Sequence, residues 1–136
     1  AIRREQGISA LTVNAKLMQA AQVRADEMAA SGIYSNTRPD GRKSNTVTDS
    51  KYTGENLHNI SELYLEQQRK TLSEAVVELW SNSKAHTDNM TSSRYGEIGV
   101  GLARGIDKDG FDCWYCVQVF LLDGCEVTWV DTPASK

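Results

Sequence analysis

The chain lacks any hydrophobic run long enough to cross a membrane. The longest, from Val117 to Leu122, is interrupted by Gln118 and falls far short of the roughly 20 apolar residues that a transmembrane helix needs. It also lacks an excess of positive charge, because 15 basic and 18 acidic residues give a formal net charge of −3. Without a basic surface to attract phosphate, nucleic acid is not an expected partner. We therefore expect a protein that neither spans a membrane nor binds nucleic acid.

Cysteines are few, and their number is odd. Cys113, Cys116 and Cys125 cannot all pair within the chain, so they do not form a disulfide scaffold. In an extended strand, Cys113 and Cys116 would point to opposite faces, which disfavours a bond between them. The Cys-x-x-Cys spacing also occurs in redox and metal motifs, but those lie on turns or helix starts. We favour buried structural cysteines.

The length and composition fit one domain over residues 1–136. The chain is 40% hydrophobic and 24% charged, which is close to globular averages. It begins with Ala1 rather than methionine. We expect a processed or shortened product, with any export signal or further domains outside these residues.

Helical periodicity is clearest in the first quarter of the chain. Apolar residues recur at helical spacing between Thr12 and Ser31, with Asn14 as a cap and Gly32 as a stop. The segment from Arg38 to Thr53 is instead poor in apolar residues and has the composition of a long surface loop. The pattern predicts one long helix followed by an exposed polar loop.

Two further helices are expected in the middle of the chain. The range Ser61–Arg69 predicts a short helix with Leu63 and Tyr64 directed inward. Thr71 and Glu74 then form a capping box ahead of a helix that should end near Ser83.

The last third of the chain changes to the periodicity of strands. Bulky and small residues alternate over Ile98–Ala103, and Cys113–Leu122 is almost wholly apolar, as in a central strand covered on both faces. A turn at Asp123-Gly124 leads into Glu126–Val130, which predicts a third strand. Helices first and strands last predict an α+β fold with an antiparallel sheet.

Two residues are candidates for chemistry at a polar cleft. His58 and His86 are the only histidines, and His86 follows the predicted helix that contains Trp80. Glu55 follows Gly54 directly after the polar loop, where a carboxylate can turn inward. We expect Glu55 and His86 to meet across the cleft.

Several short motifs, taken in order, resemble the signature blocks of the CAP family, also called SCP-like proteins, in its short bacterial form. They cover most of the chain. The matching blocks are Tyr34-Ser-Asn-Thr-Arg-Pro-Asp-Gly41, Gly54-Glu-Asn-Leu57, Trp80-Ser-Asn-Ser-Lys-Ala-His86 with Asn89-Met90, Ile98-Gly-Val-Gly101 and Trp114-Tyr-Cys-Val-Gln-Val-Phe120.

This resemblance implies a three-layer α-β-α sandwich with a central antiparallel sheet, at the cell surface or outside the cell. It also implies a cleft lined by two histidines and two acidic residues. His86 matches one family histidine and Glu55 matches one acidic residue, whereas Asn36 and Ser83 stand at the other two positions. Asn36, Arg38, Glu55 and His86 are the candidate ligand-binding residues.

Catalysis and structure remain alternatives for this group. Ser83, His86 and Glu55 could form a Ser-His-Glu hydrolase. Alternatively, the Glu55 carboxylate accepts hydrogen bonds from His86 and from backbone amides and so ties loops to helices. We favour the structural reading, because no nucleophile elbow accompanies Ser83. His58 is expected in a solvated loop, although it could replace the missing histidine.

Other side chains are assigned structural roles. Arg38-Pro39-Asp40-Gly41 predicts a turn that shapes the mouth of the cleft, with Arg38 paired to a carboxylate. Aromatic residues at strand and helix spacing are expected in the core rather than in a ligand groove. These are Tyr64, Trp80, Trp114, Tyr115 and Phe120.

Three functions fit the sequence. We favour an extracellular binding or interaction module for a small molecule, a lipid, a peptide or another envelope protein. The second is a peptidase-like hydrolase that uses His86 as base, Glu55 as its orienting partner, and Ser83 or water as nucleophile. The third is a structural component of the cell envelope. No cofactor is expected beyond a weakly held divalent metal such as zinc at His86.

Zinc titration by calorimetry should therefore show binding weaker than micromolar. An asparagine amide is a poor zinc ligand, so Asn36 leaves the site one histidine short. Nanomolar binding would contradict this expectation, and its loss in a His58→Ala variant would identify His58 as the substitute ligand.

Overall fold

A computed structural model describes residues 2–134, which form five α-helices and a four-stranded sheet. None of these helices is both long and apolar enough to cross a membrane. The helices are α1 (Ile2–Glu5), α2 (Ala15–Ser31), α3 (Glu62–Gln68), α4 (Leu72–Ser81) and α5 (Lys84–Met90), and a 3-10 helix spans Ser44–Val47. The strands are β1 (Thr12–Val13), β2 (Thr53–Ser61), β3 (Tyr95–Ile106) and β4 (Asp112–Leu122).

The sheet lies between two helical layers. Its order is β1-β3-β4-β2, and every pairing is antiparallel except that of β1 with β3. Odd-numbered residues of β4, such as Val117, pack against α2, whereas even-numbered residues such as Phe120 pack with α4. The predicted α+β class and three-layer α-β-α sandwich are confirmed. The sheet departs from a purely antiparallel one only at the short β1.

Helix α2 packs directly on the backbone of β3. A Cβ atom placed on Gly99 would overlap the backbone of Leu17, and one on Gly101 would overlap that of Ala21. The small face predicted over Ile98–Ala103 therefore exists because a helix crosses it without room for side chains.

The helix boundaries largely follow the capping residues. Asn14 caps α2, and Gly32 ends it with φ at 71°. Helix α3 occupies the predicted segment, but Leu63 is 55% exposed rather than directed inward. The Thr71 capping box is present at the start of α4. The separate helix α5, after α4 has ended, was not predicted.

The predicted strands were right at the centre of the sheet and wrong at its margin. Strand β4 is central and covered on both faces, as expected. The edge strand β2 was not predicted. The segment Glu126–Val130 is not a third strand, because only Val130 makes an isolated bridge, to Thr48, while Val127 packs into the core on the α2 side.

Candidate functional site

The Glu55 carboxylate lies in a small polar cavity on the α2 side of the sheet. The cavity is about 180 Å³, and Asn36, Ser44 and Asn45 line it together with Glu55. Oε1 of Glu55 accepts a hydrogen bond of 3.3 Å from Nε of Arg24. Burial raises the pKa of Glu55, and the nearby Arg24 and Ser44 oppose the rise. The structure thus brings Asn36 and Glu55 together.

His86 belongs to a different part of the molecule. It lies within α5 rather than after a helix end, and its carbonyl accepts a 3.0 Å hydrogen bond from Nδ2 of Asn56. Because side chains alternate along a strand, Asn56 points to the face of β2 opposite to Glu55. Helix α5 thus contacts β2 through the side chain of Asn56 and, by way of Asn89, through the carbonyl of Glu55 rather than its carboxylate.

Ser83 does not form a catalytic triad with His86 and Glu55. It is the N-cap of α5, where its side chain makes no capping hydrogen bond. Within residues 2–134 no hydrogen bond joins Glu55, Ser83 and His86, and the carboxylate of Glu55 pairs with Arg24 instead. This corrects both expectations in which His86 contacts Glu55, the catalytic one and the structural one.

A ladder of amide side chains holds α5 against the sheet. Nδ2 of Asn56 donates to Gln118 at 3.0 Å, and Nδ2 of Asn89 donates to Asn56 at 2.9 Å and to the carbonyl of Glu55 at 3.3 Å. Asn56 is fully buried with its amide satisfied. The ladder fixes the position of His86 relative to β2.

Each of the two histidines has a buried ring nitrogen without a hydrogen-bond partner among the described residues. Nδ1 of His58 and Nδ1 of His86 are the buried side-chain polar atoms that lack a partner in the described chain. Burial lowers the pKa of both imidazoles. Repulsion from His86 adds to the shift at His58, and the nearby carbonyl of Asn59 opposes it. His58 thus lies on β2, close to His86, rather than in a solvated loop.

Arg38 is a structural residue and not a ligand-binding one. It is 1% exposed, and all of its guanidinium nitrogens donate hydrogen bonds. Nε and Nη2 bind Glu27, and the remaining donors bind Thr46, Asp131 and the carbonyl of Thr132. A guanidinium has five N–H groups, so none remains for a ligand. The predicted turn at 38–41 and its pairing with a carboxylate are present.

The partner of Arg38 is a buried carboxylate that sequence reasoning missed. Glu27 accepts hydrogen bonds from Arg24 at 3.1 Å and from Arg38 at 2.7 Å, and all three side chains are shielded from solvent. A signal was present, because Arg24 and Glu27 fall among the apolar positions of the helix, between Ala21 and Met28. Charged residues at helix positions that face the core indicate buried ion pairs.

Most of the cysteines and aromatic residues occupy the core as predicted, whereas Cys125, Tyr64 and Trp114 are only partly buried. Cys113 and Cys116 are buried on opposite faces of β4, and the described cysteines form no disulfide. Trp80, Tyr115 and Phe120 are almost fully buried. No group of three or more potential metal ligands occurs among the described residues, and the expectation of weak zinc binding remains a prediction.

An apolar cavity lies on the other side of the sheet from Glu55. Its volume is about 610 Å³, and its floor is formed by Met90, Ile98 and Phe120. Arg3 and Arg4 also line it. Arg3 is held in place by hydrogen bonds to the carbonyls of residues 9, 90 and 92. Sequence reasoning did not find this cavity.

Comparison with known proteins gives one family and several solved structures of the same fold. The model of the family described as "CAP: Cysteine-rich secretory protein family" matches residues 1–120. No curated protein sequence matches the chain. An extracellular protein containing an SCP domain from Bacillus anthracis is 18% identical, with a TM-score of 0.64 over 90% of this chain and 37% of that protein.

Two other bacterial structures share the fold. An outer surface protein from Borrelia burgdorferi is 17% identical, with a TM-score of 0.59 over 89% of this chain and 84% of that one. A cysteine-rich secretory protein from Staphylococcus aureus is 20% identical, with a TM-score of 0.57 over 89% of this chain and 34% of that one. The chain therefore spans only about a third of the Bacillus and Staphylococcus proteins.

Replacing Arg38 with methionine should lower the free energy of unfolding by about 3 to 5 kcal/mol, because the charge of Glu27 would stay buried with half of its compensation gone. Urea unfolding followed by tryptophan fluorescence measures the loss. Arg42→Met, which removes an exposed partner of Asp131, is the matched control and should cost far less. Equal losses in the two variants would contradict a central role for the buried pair.

Stability should also decline as the pH falls below about 6.5, the ordinary histidine value. Because the pKa values of His58 and His86 are lowered in the folded state, the unfolded chain takes up protons first and gains stability relative to the native state. Well above that pH, where both imidazoles are neutral in the folded and the unfolded state, the two histidines add no slope. Urea midpoints across the range measure the effect, and His58→Gln should flatten it. An unchanged slope in that variant would refute this assignment.

Proposed function

Since this chain belongs to the cysteine-rich secretory protein (CAP) family, we propose that it is a binding domain of the bacterial cell exterior that holds an amphipathic molecule without turnover. The observation that carries the proposal is the apolar cavity of about 610 Å³ above Phe120. The largest well-formed apolar cavity with a few polar groups is the expected position of a small-molecule site.

The lining of the cavity supports an apolar tail with a polar or anionic head. Gln118 is 8% exposed and lines the cavity. Its oxygen accepts from Asn56, whereas its Nε2 donates to no described residue. Arg4 is exposed and makes no ion pair with the described residues. An accessible amide donor beside apolar walls and a cation at the rim suit a carboxylate or ester at the end of an acyl chain.

The placement of the candidate catalytic residues favours binding over hydrolysis. A hydrolase needs its base within hydrogen-bond reach of its nucleophile and its orienting carboxylate. The carboxylate of Glu55 instead pairs with Arg24, and no described hydrogen bond joins it to His86 or Ser83. The exterior location is supported by the bacterial proteins that share the fold, which are described as extracellular or outer surface proteins.

Dansyl-labelled undecanoic acid is a suitable probe, because its emission rises and shifts to the blue in an apolar site. We expect saturable enhancement that oleate reverses. Val77→Glu should weaken binding by at least about tenfold, because Val77 lines the cavity and a carboxylate there would place a charge against the apolar tail and repel an anionic head group. Leu63→Glu on α3, exposed outside the cavity, is the control and should bind normally.

Two outcomes would overturn the proposal. One is the absence of enhancement, or enhancement that both variants retain. The other is turnover of peptide or ester substrates by the wild-type chain that His86→Ala abolishes, which would establish the hydrolase alternative.

A further inference from the structure

Strand β2 lies at the edge of the sheet and pairs only with β4 among the described strands. Side chains already hydrogen-bond most of the backbone groups on its free side. Its odd-numbered residues direct their backbone groups away from β4. The carbonyl of Glu55 accepts from Asn89, and the carbonyl of Leu57 accepts from Tyr34 at 2.8 Å and from Trp80 at 3.0 Å. These side chains prevent another strand from pairing along this stretch.

Asn59 is the next residue with outward backbone groups, and no described side chain caps them. Its N–H points away from β4, and its carbonyl lies beside the His58 imidazole without the geometry of a hydrogen bond. Its side-chain amide also makes no hydrogen bond with the described residues. One residue of an edge strand can pair with an incoming chain through both its N–H and its C=O.

Two cavities meet at Asn59. One is about 440 Å³, lies on the α2 side of the sheet and includes Tyr34, Asp107 and Asp109. The other is about 320 Å³ and is lined by Cys113 from the α2 face and by Tyr64 and Leu79 from the side of α3 and α4. Asn59 and Asp107 line both. Neighbouring side chains of an added strand would point to opposite faces, so each could enter one cavity.

The two cavities differ in chemistry. In the first, Oδ1 of Asp107 accepts the amides of Asp109 and Phe111, which leaves its other oxygen and the Asp109 carboxylate without a partner among the described residues. Lys108 is exposed there and offsets one of the two negative charges. The ring of Tyr34 adds an aromatic wall, so this cavity suits a cation. Tyr64 and Leu79 give the second cavity apolar walls.

We propose that an extended peptide pairs with β2 at Asn59, with a basic side chain in the cavity at Asp107 and Asp109 and an apolar side chain in the cavity at Tyr64 and Leu79. Strand addition supplies the affinity through backbone hydrogen bonds, and the two cavities supply the specificity. The surface lies away from the apolar cavity above Phe120 and does not depend on it.

The probe is a short end-blocked peptide that alternates lysine and valine, labelled for fluorescence anisotropy. Alternation places every lysine on one face of the strand and every valine on the other. A glutamate-valine peptide controls for charge, and a version with N-methylated valines controls for backbone pairing. We expect saturable binding of the lysine-valine peptide and little binding of either control peptide.

Asn59→Pro tests the backbone contact directly. Proline is tolerated on an edge strand where its missing N–H would face solvent, so the fold should persist. Its binding should fall by about fivefold or more, the loss expected for one hydrogen bond. Asn59→Ala keeps the N–H and is the matched control. If the proline variant does not fold, the N-methylated peptide on the wild-type chain decides the same question.

Asp109→Asn tests the charge contact and should weaken binding of the lysine-valine peptide by about threefold or more. Asp88→Asn, an exposed carboxylate on α5, should have no effect. Failure of the wild-type chain to bind the lysine-valine peptide, or equal binding by Asn59→Pro and Asn59→Ala, would overturn the proposal. Neither result bears on the dansyl probe, so the two proposals fail separately.

Discussion

The carboxylate of Glu27 is the buried charge around which one side of the molecule is assembled. It accepts hydrogen bonds from Arg24 on its own helix, from Arg38 in the polar loop and from the backbone amide of Ala134 near the end of the described chain. Each partner comes from a different segment. A buried charge is tolerated only when it is paired and hydrogen-bonded, so these segments must fold onto α2 together.

This network also determines what Glu55 can do. Arg24 donates to Glu27 and to Glu55, and its third nitrogen binds the carbonyl of Ser35 at 2.6 Å. The loop that carries Asn36 is thereby held beside the Glu55 cavity. The carboxylate of Glu55 is therefore held by a buried arginine, with no hydrogen bond to His86 among the described residues.

Local rules of chain conformation recovered the central architecture. The caps at Asn14 and Thr71 placed two helices, and the alternation over Ile98–Ala103 revealed both β3 and the close approach of α2. Strand β2 escaped detection because its polar residues, among them Asn56 and His58, do not alternate with apolar ones in a recognisable way. Asn56 is satisfied by Gln118 and by the carbonyl of His86, which are distant along the chain.

At the candidate site, too, local sequence patterns identified the residues but not their positions in the fold. Family motifs identified Glu55 and His86 as notable residues, but they carry no information about which face of the sheet each one reaches. That depends on the register of β2 with β4, where Glu55 pairs with Val119 and Asn56 with Gln118. A one-residue change in that register would exchange the two faces.

The positions of the thiols have a consequence for how the layers of the domain are held together. Cys113 and Cys116 are buried on opposite faces of a central strand, and the layers around them are held by packing and hydrogen bonds rather than by a covalent link between cysteines. The contacts between these layers therefore contain no bond between Cys113 and Cys116 that a reductant could break.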